Sequence, residues 1–319
     1  MKARKPDYYW VGVDEAGYGP SMGPLVMTAV VAHSKADTQP DIWQDLEGVS
    51  RCRPLAPGAK LIVDDSKAVM ARADGMQWLE QAFAAIADTI HVEAGELEPS
   101  EFWRQAFGPE VFGGKELALW QDDLPGLKLP QSGRKFRLQT TKWQVCATQV
   151  RVVGPSEFNS LLGDPPNKAV AHGLVFRDLM TWLQGLIKPG DRLRIVSDRH
   201  GGRKFYYDLI MDCFPGCWVH KVSEKLELSR YKIDTGEISA EIDFRVEADA
   251  SNGLVALASM VSKYLREQWM QEQNAWFARR VPGLRPTAGY PVDAKRFAGD
   301  VREFCDRAGI RRETWWRLR

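Results

Sequence analysis

Two adjacent acids, Asp14 and Glu15, stand at the end of an apolar run, and a loop carrying Gly17, Gly19 and Gly23 follows them. Carboxylates at the end of a buried strand are costly unless something cationic satisfies them. The glycines let backbone N–H groups approach a ligand closely or adopt φ > 0. Two readings are open: a divalent-metal site beside a loop that meets a phosphate backbone, or a hydrated turn after an edge strand. Two further acids have comparable settings. Asp198 closes the apolar run 193–196, and Asp249 immediately precedes a helical pattern. In an α/β sheet such strand ends converge on one edge. Four carboxylates on one edge repel one another and call for divalent cations. Oxygen-only ligands suit Mg²⁺ or Mn²⁺ rather than zinc. A carboxylate cluster with a pair of hard ions roughly 4 Å apart is suited to in-line hydrolysis of a phosphodiester. On spacing alone the grouping is not specific, because acids at strand ends are common.

The elements that would position these groups follow from periodicity. Residues 8–13 and 25–32 have strand character on either side of the glycine loop. Residues 33–57 are polar and proline-bearing, so a long loop with at most a short helix is expected. Residues 61–63 are a short apolar run before Asp64-Asp65-Ser66-Lys67, where Asp65 or Ser66 can cap a helix; the helical pattern covers 76–87, and a strand is expected over 89–92. From 94 to 149 the α/β rhythm is lost, and this stretch reads as an insertion. Its end, Gly133-Arg134-Lys135-Phe136-Arg137 and Thr141-Lys142-Trp143, is either a nucleic-acid contact or a solvated hairpin packed by its aromatics. Rhythm returns with a strand over 150–153 and a helix over 167–187 capped by Asn167. Next come a strand ending at Asp198, a helix over 205–213, a strand over 218–222 and a hairpin over 228–246. A helix over 254–273 and one over 294–308 complete the pattern. Arg266-Glu267, far down the first of these, reads as an exposed pair.

Bulk properties set limits. The chain has 319 residues, 44% apolar and 27% charged, which suits a globular protein with a buried core. A net charge of +1 gives no global attraction to nucleic acid or membrane, so any basic surface must be local. The five cysteines form no disulfide framework, and Cys213 and Cys217 lack a second pair at zinc spacing. No run approaches the roughly 20 apolar residues that span a bilayer. A cytoplasmic location without a membrane partner is the expectation. There is no Gly-x-Ser-x-Gly element and no Walker-type loop.

Several segments, taken in order, resemble the type 2 ribonuclease H family. Asp14-Glu15-Ala16-Gly17-Tyr18-Gly19-Pro20 with Gly23-Pro24 is similar to its opening motif, and Asp65-Ser66-Lys67 to its Asp-Ser-Lys element. Ile195-Val196-Ser197-Asp198 stands where its third acid ends a strand. Glu247-Ala248-Asp249-Ala250, with Ala258-Ser259-Met260-Val261-Ser262-Lys263, is similar to its fourth-acid segment, and Gly289-Tyr290-Pro291 to its Gly-Tyr element. The resemblance implies a ribonuclease H-like mixed sheet flanked by helices. It implies a catalytic domain over 1–270, interrupted at about 94–149, and a helical substrate-binding segment over 271–319. The implied activity is metal-dependent cutting of the RNA strand of RNA/DNA hybrids or ribonucleotide-containing duplexes, leaving 3′-OH and 5′-phosphate. Asp14, Glu15, Asp198 and Asp249 would hold two Mg²⁺ or Mn²⁺ ions. Gly17, Tyr18, Gly19, Ser66, Lys67 and Tyr290 would bind substrate, with the Tyr290 ring under the sugar. Two departures stand out: Tyr18 replaces the family's arginine, and Asp198 is followed by Arg199-His200 rather than glycine. Arg199 and His200 either touch phosphate, shuttle a proton or cap the next helix. Other readings are a non-catalytic nucleic-acid binder on the same fold, or a related nuclease acting on DNA or structured RNA.

Overall fold

The structure, a computed structural model, describes residues 4–90, 136–234 and 236–318. Its centre is β1 (Tyr8–Ala16). On one side β1 pairs antiparallel with β2 (Leu25–Ser34), and β2 with β5 (Trp143–Val153). On the other side β6 (Arg192–Asp198) and then β9 (Ser239–Arg245) are added in parallel. The antiparallel strands β8 (Leu228–Asp234) and β7 (Trp218–Glu224) complete the order β5-β2-β1-β6-β9-β8-β7. This is the mixed α/β sheet flanked by helices that the sequence leads one to expect. The parallel trio β1, β6 and β9 brings three chain segments, far apart in sequence, to one edge.

Period-2 alternation sorts the sides of β1. Val11 and Val13 pack into a core shared with α5 (Lys168–Leu186) and α6 (Tyr207–Cys213), through Val175, Phe176, Leu179 and Ile210. The opposite face takes α8 (Gly253–Ala278), whose start is capped by Asn252 accepting from the Leu254 and Val255 N–H groups. Contact there is close because Gly12 has no side chain: a Cβ on it would lie 2.2 Å from the Leu254 carbonyl carbon. Small polar residues tighten the same seam, and Thr28 and Ser262 share a hydrogen bond of 2.7 Å. Outside α8 lie α1 (Ile42–Asp45), the short pair β3 (Val49–Ser50) and β4 (Leu61–Ile62), α2 (Ser66–Met70) and α3 (Gly75–Thr89). α4 (Pro155–Ser160) follows β5, and α7 (Ala248–Ser251) joins β9 to α8. α9 (Pro291–Ala308) buries Ala294, Phe297, Val301 and Cys305, a helical stripe, against the end of α8, with Phe297 edge-on to Phe277.

Several boundaries differ from the sequence reading. α3 runs to Thr89, whose hydroxyl donates to the Ala85 carbonyl, so the strand expected from 89 does not begin there. β5 starts at Trp143, so residues 143–149 belong to the central sheet and not to an insertion. Trp143 is buried and donates to Asp45 at 2.8 Å, which removes it from any substrate surface. Residues 94–135 of the expected insertion, including Gly133, Arg134 and Lys135, lie outside the described residues. The expected domain boundary at 270 falls inside α8, which crosses it unbroken. All five cysteines are free thiols. Among the described residues no helix is long and apolar enough to cross a membrane.

Candidate functional site

Asp14 and Glu15 lie within β1, not after it, so alternation sends their side chains to opposite faces of the sheet edge. Asp14 turns toward α8. Its carboxylate accepts from the Glu15 N–H at 2.7 Å and bonds the Ser259 side chain, and its carbonyl accepts from Ser262 at 3.2 Å. Glu15 turns the other way, and its Oε1 is 3.4 Å from Nε2 of His172. Parallel pairing puts Val13 level with Ser197, so Asp198 ends β6 beside Asp14. The chain leaves β9 through Glu247, held at φ 51°, and turns into α7. There the Ala248 N–H donates to Asp198 at 3.0 Å, tying the segment that carries Asp249 to the end of β6.

These groups line one cavity of about 260 Å³, with Gly17, Tyr18, Gly19, Pro20, Asp65, Ser66, Lys67, Ser259, Lys263, Arg266 and Tyr290 completing its wall. Every site residue named from the sequence is therefore on this wall. The loop is held by its backbone: Gly17 sits at φ +94°, where a Cβ would press to 2.3 Å from the Pro24 carbonyl. Tyr290 is tied to the loop because the Gly289 carbonyl accepts from Ser21 (2.8 Å) and Met22 (3.3 Å), and its ring is about half exposed.

One wall is acidic. Burial raises the Asp14 carboxyl well above the usual carboxylate range, and the charges of Glu15, Asp198 and Asp249 push it further. Asp249 is pushed up to about 7 by burial, then by Asp65 and Asp198. Asp198 is raised by burial and by Glu15, against the Ala248 N–H, which favours its charged form. Such mutual elevation marks carboxylates gathered without enough positive charge to neutralise them. The donor set is all oxygen and hard, which fits a divalent cation of the Mg²⁺ class. Among the described residues no group of three or more His, Cys, Asp or Glu side chains is already arranged to hold a metal ion. The same lining carries three cations, Lys67, Lys263 and Arg266. Arg266, expected as an exposed residue, is 2% exposed; its Nη2 donates to the Ala288 carbonyl at 2.8 Å. Glu267 pairs with both Lys263 (2.7 Å) and Arg266 (3.3 Å).

Sequence reasoning missed Asp65, Ser259, Lys263 and Arg266 as site groups. Asp65 caps α2, accepting from the Ala68 N–H at 2.6 Å, and Ser66 accepts from Ser259 at 2.9 Å, so α2 is fastened to α8. The available signal was helical spacing, since 259, 263 and 266 fall on the face of α8 that begins beside Asp249. Arg199 and His200 turn out to be structural. Arg199 donates to the Lys225 carbonyl and to Ser229 (3.0 Å), while His200 is buried among Phe176, Tyr206 and Phe244. Tyr18 belongs to the same assembly. Its ring meets His172 edge-on at 5.2 Å and covers Gly201, and His172 in turn lies 4.4 Å from His200.

No family model matches the chain, and neither does any curated protein. Among solved structures the chain is similar to RNase HII of Archaeoglobus fulgidus, seen in a complex with PCNA. The identity is 14%, the coverage 97% of this chain and 96% of that one, and the TM-score 0.40. It is similar to Bst-RNase HIII in complex with Mn²⁺, at 14% identity, 99% and 68% coverage and a TM-score of 0.42. The ribonuclease H2 of Pyrococcus horikoshii OT3 is similar at 14% identity, with 96% and 92% coverage and a TM-score of 0.36.

Proposed function

We propose that this protein is a metal-dependent endonuclease that hydrolyses phosphodiester bonds in the RNA strand of RNA/DNA hybrids, leaving 3′-OH and 5′-phosphate ends. The observation that carries the reading is the composition of one cavity wall. Asp14, Glu15, Asp198 and Asp249, drawn from three separate stretches of chain, share the lining of one cavity with Lys67, Lys263, Arg266, a glycine loop and a half-exposed tyrosine.

Asp14, Asp198 and Asp249, with Glu15 from the opposite face of β1, would hold Mg²⁺ or Mn²⁺. Bound there, such ions supply the Lewis acidity that phosphodiester hydrolysis needs. The remaining work falls to this chain's own groups. Lys67, Lys263 and Arg266 attract the polyanionic backbone to a rim that would otherwise repel it. Backbone N–H groups of the Gly17–Gly19 loop suit the 2′-OH, the group that separates RNA from DNA at a given site. The Tyr290 ring offers a flat face for the sugar or base beside the cut. Tyr18 lines the cavity while its ring packs inward on His172, so its part in binding is through its backbone.

A cleavage panel tests this reading. A long hybrid, a duplex with a single ribonucleotide, double-stranded RNA and double-stranded DNA are each offered with Mg²⁺ or Mn²⁺. The expected result is cutting of the long hybrid that is abolished by Asp14→Asn in a folded protein. Hybrid binding without cutting under either metal would assign the chain to the non-catalytic class. Cutting of the other substrates alone would move the metal chemistry to a different target.

A further inference from the structure

We propose that Arg317 is the positioning residue of the glycine loop, so that the segment after α9 is a working part of the ribose-reading wall. The functional half of this inference rests on the nuclease reading above; the structural half does not.

The Arg317 side chain is fully buried, and its Nη2 donates to the carbonyls of both Gly17 and Pro20. Those residues bracket the loop. The Arg317 N–H also donates to the Ser21 carbonyl at 2.8 Å, and Trp316 forms a β-bridge with Met22. The segment is anchored from outside by Asn159 of α4, whose side chain donates to the Trp316 carbonyl (2.9 Å) and accepts from the Leu318 N–H (2.7 Å). Among the described residues no carboxylate pairs with Arg317. The guanidinium instead lies over the Phe158 ring at 4.7 Å. Burial, together with the neighbouring charge of Arg266, lowers its pKa to about 9. A buried cation without a counter-ion is costly unless well-placed acceptors satisfy it. Here the loop carbonyls accept from Nη2 alone, and Nε and Nη1 have no acceptor among the described residues.

Peptide planarity then does the positioning. A carbonyl turned toward Arg317 forces the next N–H to point the opposite way. For Pro20 the next N–H is that of Ser21, which donates to the Gly289 carbonyl and so fixes the turn before Tyr290. For Gly17 the next N–H is that of Tyr18, on the cavity wall and with no acceptor among the described residues. One guanidinium thereby orients a free backbone donor and steadies the stacking tyrosine. Neither effect depends on which side chain occupies position 18.

The test uses the full-length chain. Arg317→Met removes the donors at similar bulk, and Asn159→Ala releases the segment without touching the loop. Hydrogen exchange of residues 17–23 is expected to rise at least about tenfold in both, with α8 unchanged. In an Asp14→Asn background, preference for an RNA/DNA hybrid over a DNA duplex of the same sequence is expected to fall about tenfold or more. Guanidinium chloride at millimolar concentration should partly restore that preference in Arg317→Ala. Unchanged exchange in both Arg317→Met and Asn159→Ala overturns the clamp. A loosened loop with an intact hybrid preference overturns its role in recognition. If the parent protein does not bind the hybrid at all, the nuclease reading falls, and the exchange result still decides whether the clamp exists.

Discussion

Gly12→Ala is the sharpest probe of how the site is built, because the substituted position lies two residues before Asp14 and touches no substrate. A Cβ at Gly12 would stand 2.2 Å from the Leu254 carbonyl carbon and 2.3 Å from the Val255 nitrogen. These are backbone atoms at the start of a long helix, so no rotamer change can relieve the clash. Ordinary contact requires α8 to retreat by roughly 1.3–1.8 Å. Overpacking of this kind costs about 1–3 kcal/mol. An unfolding entropy near 2 cal/mol/K per residue gives about 0.7 kcal/mol/K for 319 residues. The melting temperature should therefore fall by about 1–4 °C. The same retreat draws Ser259 and Ser262 away from Asp14, which both of them hold. A displacement of about 1 Å at a catalytic group can cost on the order of 100-fold in rate. Thermal melts and hybrid cleavage, measured on the same preparation, are the assay. Parental stability together with parental cleavage would refute the argument that contact between β1 and α8 aligns the acids.

Other outcomes follow from the same geometry. Tyr290→Ala should raise KM for the hybrid by about 5- to 150-fold, the worth of one stacked base, and leave the melting temperature unchanged because the ring is half exposed; a changed kcat at constant KM would count against a platform role. In EDTA at neutral pH, Asp14→Asn should melt above the parent because it removes a buried carboxyl whose raised pKa penalises the native state, and added Mg²⁺ should stabilise the parent but not this variant. Asp243 gives the pH signature. Burial raises its carboxyl, but hydrogen bonds from Arg230 and Arg245 outweigh that and hold it below the usual value. Its contribution is therefore complete above the unfolded carboxylate pKa and is lost as pH falls through the lower folded value. Asp243→Asn should cost about 1–3 kcal/mol at pH 7, with the arginines partly exposed, and the gap to the parent should narrow steadily as pH falls below about 4; a gap that stays constant with falling pH would show that packing, not charge, is lost.

What the sequence disclosed, and what it withheld, divides along physical lines. The strands around Asp14 and Asp198 were legible because a run such as Leu193-Arg194-Ile195-Val196 has the character of a half-buried strand, and Asn167 and Asp65 announce helix starts by their chemistry. The start of β5 was missed because Gln144 and Gln149 interrupt its apolar pattern, although the strand pairs with β2 along its length. Arg266 was misread because a charged residue nearly four turns into a helix gives no local sign of burial. Only the tertiary approach of the Gly17 loop and the Ala288 carbonyl covers it. The role of His200 depended on Phe176 and Phe244, which lie on other elements and cannot be placed beside it by spacing.

The inward packing of Tyr18 makes several positions answerable to one another. An arginine grafted at 18 would uncover Gly201 and remove the ring that closes over His172, the residue facing Glu15. His172 and His200 pack against each other, and His200 also against Phe244. Residues 18, 172, 200 and 201 thus form an epistatic block: single exchanges should be penalised, and a working replacement must be made as a set.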